Sequence, residues 1–212
     1  MGRPRAFDPD LALDRALDVF WRKGYEGATI PELTAAMGIN RPSLYAAFGN
    51  KEELFRRALD RYAEGPGGYV LEALAEPTAR GVVRRLLFGS VDLLTGPGHP
   101  RGCLLVHGAL ACGEEAESAR AELASRRRAA EAAACRRFEL AKASRELPND
   151  ANPAALARYV VTVVHGMAVQ AAGGATREEL LQVAEIALQA WPEEPAKREP
   201  TKSASSGTRS RG

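Results

Sequence analysis

The sequence predicts an all-α chain, a small N-terminal helical unit followed by a larger one, about nine helices in all. Two observations carry this. Apolar residues recur at three- and four-residue spacing through most of the chain, the period of a helix with one buried face. Strand-like alternation between closely spaced turn pairs is absent. With 45% hydrophobic and 26% charged residues, the chain can build a sizeable core.

The first helix opens at Asp8-Pro9, an aspartate cap followed by a proline suited to the first turn. Leu13, Ala16, Leu17, Phe20 and Trp21 form its apolar stripe, and Gly24 ends it. Thr29-Ile-Pro-Glu32 reads as a capping box. It starts a short second helix that carries Leu33, Ala36 and Met37 and stops at Gly38. Asn40 caps a third helix that runs through Phe48. A fourth follows the Gly49-Asn50 break, with Leu54, Phe55, Ala58, Leu59 and Tyr62 on one side. Gly65-Pro-Gly-Gly68 is a break. Further helices are expected near 78–95, 102–112, 114–146, 153–172 and 176–190. The segment 192–212 is rich in Pro, Ser, Lys and Arg without apolar periodicity and reads as a disordered tail.

Thr29 to Lys51 therefore holds two short helices joined by a tight turn at Gly38-Ile-Asn40, the helix-turn-helix plan. Leu44 and Phe48 anchor one face of its second helix, leaving Arg41, Pro42, Ser43, Tyr45 and Ala47 for a DNA major groove. Arg41 can fork onto guanine and Ser43 can read a base or bond a phosphate. Pro42 and Ala47 can meet a thymine methyl. Tyr45 and Lys51 can reach phosphates. Thr29 and the amides opening its helix offer an anion seat. Arg3 and Arg5 lie on an N-terminal arm suited to a minor groove. The net charge is only +2, so any attraction to DNA must come from these placed charges rather than from the mean field.

Ala16, Phe20, Gly24, Tyr25, Thr29 and Ile30 before the turn, and Gly38, Leu44, Tyr45, Phe48, Lys51, Leu54 and Phe55 after it, carry a resemblance. The segment Ala6 to Tyr62, with SLYAAFGNKEELF its most specific stretch, resembles the DNA-binding domain of TetR/AcrR family repressors. The resemblance implies about nine helices, a homodimer through the last two, and a ligand cavity in the C-terminal domain. It also places Thr29, Arg41, Pro42, Ser43, Tyr45 and Lys51 at DNA-contact positions. Ala46 and Ala47 are small where many members carry a larger polar or aromatic residue.

The expected organisation is a helix-turn-helix domain over 1–50, a helical ligand-binding and dimerisation domain over 51–191, and the tail. The expected partners are double-stranded operator DNA, a second copy of the chain, and a small-molecule effector among the middle helices. Phe88, Val91, Leu105, His107, Phe138, Tyr159 and Met167 are expected to line the effector site, from their apolar character and position. His165 could serve either pocket or dimer packing.

Other readings compete. Cys103, His107 and Cys112 could form a metal or thiol sensor, but two ligands four apart fall short of a structural zinc set. A small buried cysteine and a cavity-lining histidine is the plainer reading, with no metal or other cofactor. Ligand-independent DNA binding is a further alternative. An enzyme is disfavoured: no Walker loop, G-x-S-x-G elbow, H-E-x-x-H or Rossmann glycine run occurs. The Arg126-Arg-Arg128 run reads as a solvated face. Three cysteines without a CxxC pair fit a reducing cytoplasm. No apolar run suggests a membrane span, and the basic start is not followed by an apolar signal segment.

Overall fold

The computed structural model describes residues 7–110 and 116–192. Among them are ten α-helices and no strand. They are α1 (Pro9–Gly27), α2 (Ile30–Met37), α3 (Arg41–Phe48), α4 (Lys51–Glu64), α5 (Tyr69–Leu74), α6 (Ala79–Thr95), α7 (Leu104–Leu110), α8 (Glu117–Ala143), α9 (Pro153–Ala172) and α10 (Arg177–Gln189). The expected nine are present. The tenth, α5, follows a 3₁₀ turn at Pro66–Gly68. Its six residues are too few to show a period, and the glycines before it read as a simple break.

Local chemistry sets the helix starts. Asp8, Thr29, Asn40, Asn50, Thr78, Asn152 and Thr176 each accept backbone N–H bonds through the side chain at an N-cap. Thr29, Asn50 and Thr176 complete capping boxes with Glu32, Glu53 and Glu179. Gly24 interrupts α1 at φ 70°, ψ −178°, kinking its last turn toward α2. Gly38 ends α2 in the left-handed region (φ 70°, ψ 30°), where a Cβ is strained. Gly38→Ala is expected to cost about 1–2 kcal/mol, read as a lower midpoint in urea denaturation.

Two apolar clusters form. The first joins α1 to α4 through Ala16, Phe20, Leu33, Leu44, Phe48, Leu54, Phe55 and Leu59, and continues into Leu104 of α7 and Leu123 of α8. Phe20, Tyr25 and Phe55 group within it, Phe20 stacked on Tyr25 and edge-on to Phe55 with centroids 4.9 Å apart. The second is built from α5, α6, α8, α9 and α10, with Leu87, Val91, Phe138, Met167 and Trp191 inside. Tyr69 and Cys103 pack against both clusters and mark the seam between them.

The helix α9 is long and apolar enough by length and composition to cross a membrane. It packs along α6, α8 and α10 instead, with Ala157, Val160, Met167, Ala168 and Ala171 buried in the second cluster. Of the segment 192–212, expected as a disordered tail, all but Pro192 lies outside the described residues.

Candidate nucleic-acid interface

The geometry of α2 and α3 is set from both sides. Beneath them, Leu33, Met37, Leu44 and Phe48 are buried against α1 and α4. At the turn, the Gly38 and Ile39 amides return to the Ala35 and Thr34 carbonyls, and Asn40 Oδ1 accepts from the Ser43 amide at 2.9 Å. Arg57 of α4, which sequence reasoning passed over, donates to the Ala47 carbonyl at 3.1 Å and lies over the Phe48 ring. It closes the end of α3 opposite Asn40. An arginine on a helix surface gives no sequence signal for such a role.

The outward face of α3 carries Arg41, Pro42 and Tyr45, all exposed, with Ser43 and Ala47 partly so. Arg41 and Tyr45 are one turn apart. The guanidinium donates to the tyrosine hydroxyl at 3.3 Å and lies 5.5 Å from the ring centroid, which holds both side chains toward the same side. Lys51, at the first turn of α4, places its ammonium 4.5 Å from the centre of the Tyr25 ring. That contact restrains the charge beside the face. Phe7 packs against Phe48 with centroids 6.4 Å apart, bringing the root of the N-terminal arm to the end of α3. Arg3 and Arg5 lie outside the described residues.

Thr29 is exposed, but its chemistry is largely used within the helix cap. Its amide and hydroxyl both donate to Glu32 Oε2, at 3.1 and 2.9 Å, and Lys23 pairs with the other carboxylate oxygen. A phosphate arriving at this helix end competes with Glu32. Lys23, with the Thr29 bonds, holds the Glu32 carboxyl at about 2, below its ordinary 4.5. A depressed carboxyl stabilises the fold above the unfolded value and loses that contribution as pH falls through the folded one. Stability of the α2 region is therefore expected to decline from about pH 4.5 to pH 2, and Glu32→Gln to flatten that slope in an acid-denaturation series.

The second feature is a cavity of about 400 Å³ at the seam, lined from α4, α5, α6, α8, α9 and the start of α7. Leu59, Tyr62, Tyr69, Leu86, Cys103, Leu105, Ala130, Ala134, Val164 and His165 are among its walls. Of the seven residues expected to line an effector site, Leu105 borders it and the other six do not. Val91, Phe138 and Met167 are fully buried core, Phe138 packed on Trp191. Phe88 sits under the Arg84 guanidinium. The Tyr159 hydroxyl donates to the Ala187 carbonyl on α10. His107 lies against Gly102, its Nδ1 3.1 Å from the Cys103 carbonyl oxygen.

His165, left open between pocket and dimer packing, is a cavity residue. The arginine run is not a solvated face: Arg126 and Arg127 border the cavity and only Arg128 is exposed. No group of metal-ligating side chains occurs among the described residues, and Cys112 lies outside them. The Cys103 thiol accepts the Tyr62 hydroxyl at 3.3 Å, and burial pushes its pKa up although Tyr62 pulls it down.

The cavity and the α3 face are joined by short contacts. Leu59, Tyr62 and Ala63 of α4 form one cavity wall, and the same helix holds α3 through Arg57. Arg126 ties α8 to Asp60 of α4 at 2.7 Å, and Arg61 ties α4 to Asp14 of α1 through two bonds. Trp21 of α1 donates to the Gly102 carbonyl at 2.9 Å, and His99 stacks on its ring. Gly102 precedes Cys103 on the cavity wall.

A capped short helix, a left-handed turn and a second helix with an outward basic and aromatic face define a helix-turn-helix DNA-binding regulator, here with a cavity-bearing helical domain behind it. Residues 12–58 match the family "Bacterial regulatory proteins, tetR family", and residues 78–185 match "Tetracyclin repressor-like, C-terminal domain". The chain belongs to the TetR family of transcriptional regulators. It is 32% identical over 198 residues to the HTH-type transcriptional repressor ComR of Escherichia coli K12, covering 91% of this chain and 92% of ComR. The HTH-type transcriptional repressor BdcR of the same organism is 49% identical over 61 residues, 29% of this chain and 31% of BdcR. A cysteine-substituted form of the TetR family regulator CifR, solved with a 26-bp double-strand operator DNA, superposes with TM-score 0.86. The two are 46% identical over 90% of this chain and 100% of that one.

Proposed function

We propose that this chain is a ligand-responsive repressor that grips a palindromic operator as a homodimer in the cytoplasm. The observation that carries the reading is that one helix, α4, both buttresses α3 and walls the cavity. A molecule that fits the cavity better when α4 is displaced shifts the population toward a state with altered α3 spacing. Its affinity difference between the two states is the coupling energy. Repression rather than activation is supported by the repressors among its relatives.

The dimer surface lies on α9 and α10. Val169, Val183 and Ile186 are 45%, 42% and 65% exposed on a single chain, and two such helices from each copy make a four-helix interface. Val183→Glu with Ile186→Glu is expected to convert a two-chain mass in light scattering to a one-chain mass.

A reporter assay tests the function. A site recovered from a random DNA pool is placed across a promoter. Expression of the chain is expected to lower reporter output, and Arg41→Ala to restore it. A rise in output would make the chain an activator; no response would overturn the reading.

A further inference from the structure

Most of the cavity wall is hydrocarbon: Leu74, Leu86, Val160 and Val164, with a run of alanines on α8. Its charged lining is one-sided. Among the described residues, Arg126, Arg127 and His165 border the cavity, and no aspartate or glutamate does. Arg126 is committed to Glu122 and Asp60, each at 2.7 Å. Arg127 is different. It donates one N–H to the Leu105 carbonyl and forms no ion pair among the described residues. A guanidinium has five N–H donors, and one carbonyl leaves most of them for another acceptor.

The wall holds this charge at a cost. Burial lowers the pKa of Arg127, Cys103 opposes that shift in part, and neighbouring Arg128 adds to it. Burial also lowers His165, and Arg127 adds to that shift. Glu131, the carboxylate that acts on His165, is held by Arg158 at 2.9 Å. Arg127 is thus a partly desolvated cation beside His165 on a wall without a carboxylate, and an anion placed there supplies the missing counter-charge.

We propose that the effector is a small monoanion with an apolar body, a carboxylate or an acid of like geometry, whose oxygens take the remaining N–H donors of Arg127 while its hydrocarbon lies along Leu74, Leu86 and Val164. The proposal rests on the cavity being the effector site. Planar, two-oxygen acceptors suit the guanidinium fork, and the cavity volume is that of a small-molecule site. The anion also has a route to the DNA face. Arg127 holds the carbonyl of Leu105, three residues beyond the Gly102 carbonyl that Trp21 holds. An anion that draws Arg127 off Leu105 loosens the segment that fastens α1.

The test uses the purified full chain and three probes of equal length, octanoate, octan-1-ol and octylammonium, titrated calorimetrically at one pH and salt concentration. Octanoate is expected to bind about tenfold more tightly than octan-1-ol, with octylammonium weakest. Arg127→Gln is expected to remove the advantage of octanoate while octan-1-ol still binds, and Arg127→Lys to keep part of it. Equal binding of octanoate and octan-1-ol, an octanoate advantage that survives Arg127→Gln, or binding of none of the three would overturn the proposal. Operator release is read in parallel. Octanoate that binds but leaves the operator bound would overturn the cavity as effector site, with the charge preference intact. Release driven equally by octan-1-ol would keep the effector site and overturn the anionic class.

Discussion

Phe20→Ala is expected to cost about 3–5 kcal/mol of stability, a large share of the roughly 5–15 kcal/mol that holds a domain folded. Phe20 is fully buried and touches both Phe55 of α4 and Tyr25 beyond the α1 kink. The ring is the contact through which α1 and α4 hold a common position, and α2 and α3 are packed on that pair. Removing it leaves a void between the kinked α1 and α4 that the short helices packed on them cannot easily close. The measurement is urea denaturation of the variant beside Phe20→Leu, which keeps most of the volume and is expected to lose less. Operator affinity should fall with the folded fraction. A variant with an unchanged midpoint would show that the aromatic cluster is not what sets the α3 position.

Arg41→Ala is expected to weaken operator binding by about 1–3 kcal/mol and to relax sequence preference at one position of each half-site. The side chain stands on the exposed face of α3, steadied by Tyr45 one turn on, so its fork is presented rather than free. Lys51→Ala makes the contrast. Its ammonium sits over Tyr25 beside the face and is expected to act on phosphates. Its loss should therefore weaken all sequences alike and reduce the salt slope by about one. Both variants are checked by fluorescence anisotropy across a salt series on the selected site and on single-base variants of it. Equal sequence-independent losses would place Arg41 on the backbone instead of a base.

The DNA-binding half was legible because its signals are local. Thr29 and Glu32 announce a cap three residues apart, Gly38 marks a turn that needs a left-handed residue, and Leu44 and Phe48 show which face of α3 is buried. The internal use of Thr29 was less legible: the capping box was read correctly, yet its carboxylate occupies the anion seat that the same motif suggested.

The cavity was not legible, for a physical reason. Large apolar side chains fill space, and Phe138, Val91 and Met167 were expected at a void that they instead help to exclude. A void forms where side chains are short, and here Ala129, Ala130, Ala133 and Ala134 form one wall. A run of alanines on a charged helix reads as helix propensity, not as a binding surface. The remaining walls come from helices far apart in sequence, so no local spacing records them. Arg126 and Arg127 were misread for the same reason, since an arginine run shows its charge but not what is packed against it.

In the proposed function, α3 from two copies of this chain reads a specific DNA site. Selection of bound sequences from a random DNA pool, at stated salt, tests it most directly. One enriched palindrome is expected, its half-sites about one helical turn, or a multiple of it, apart. Recovery of no enriched sequence, or of a single unrepeated half-site, would contradict it.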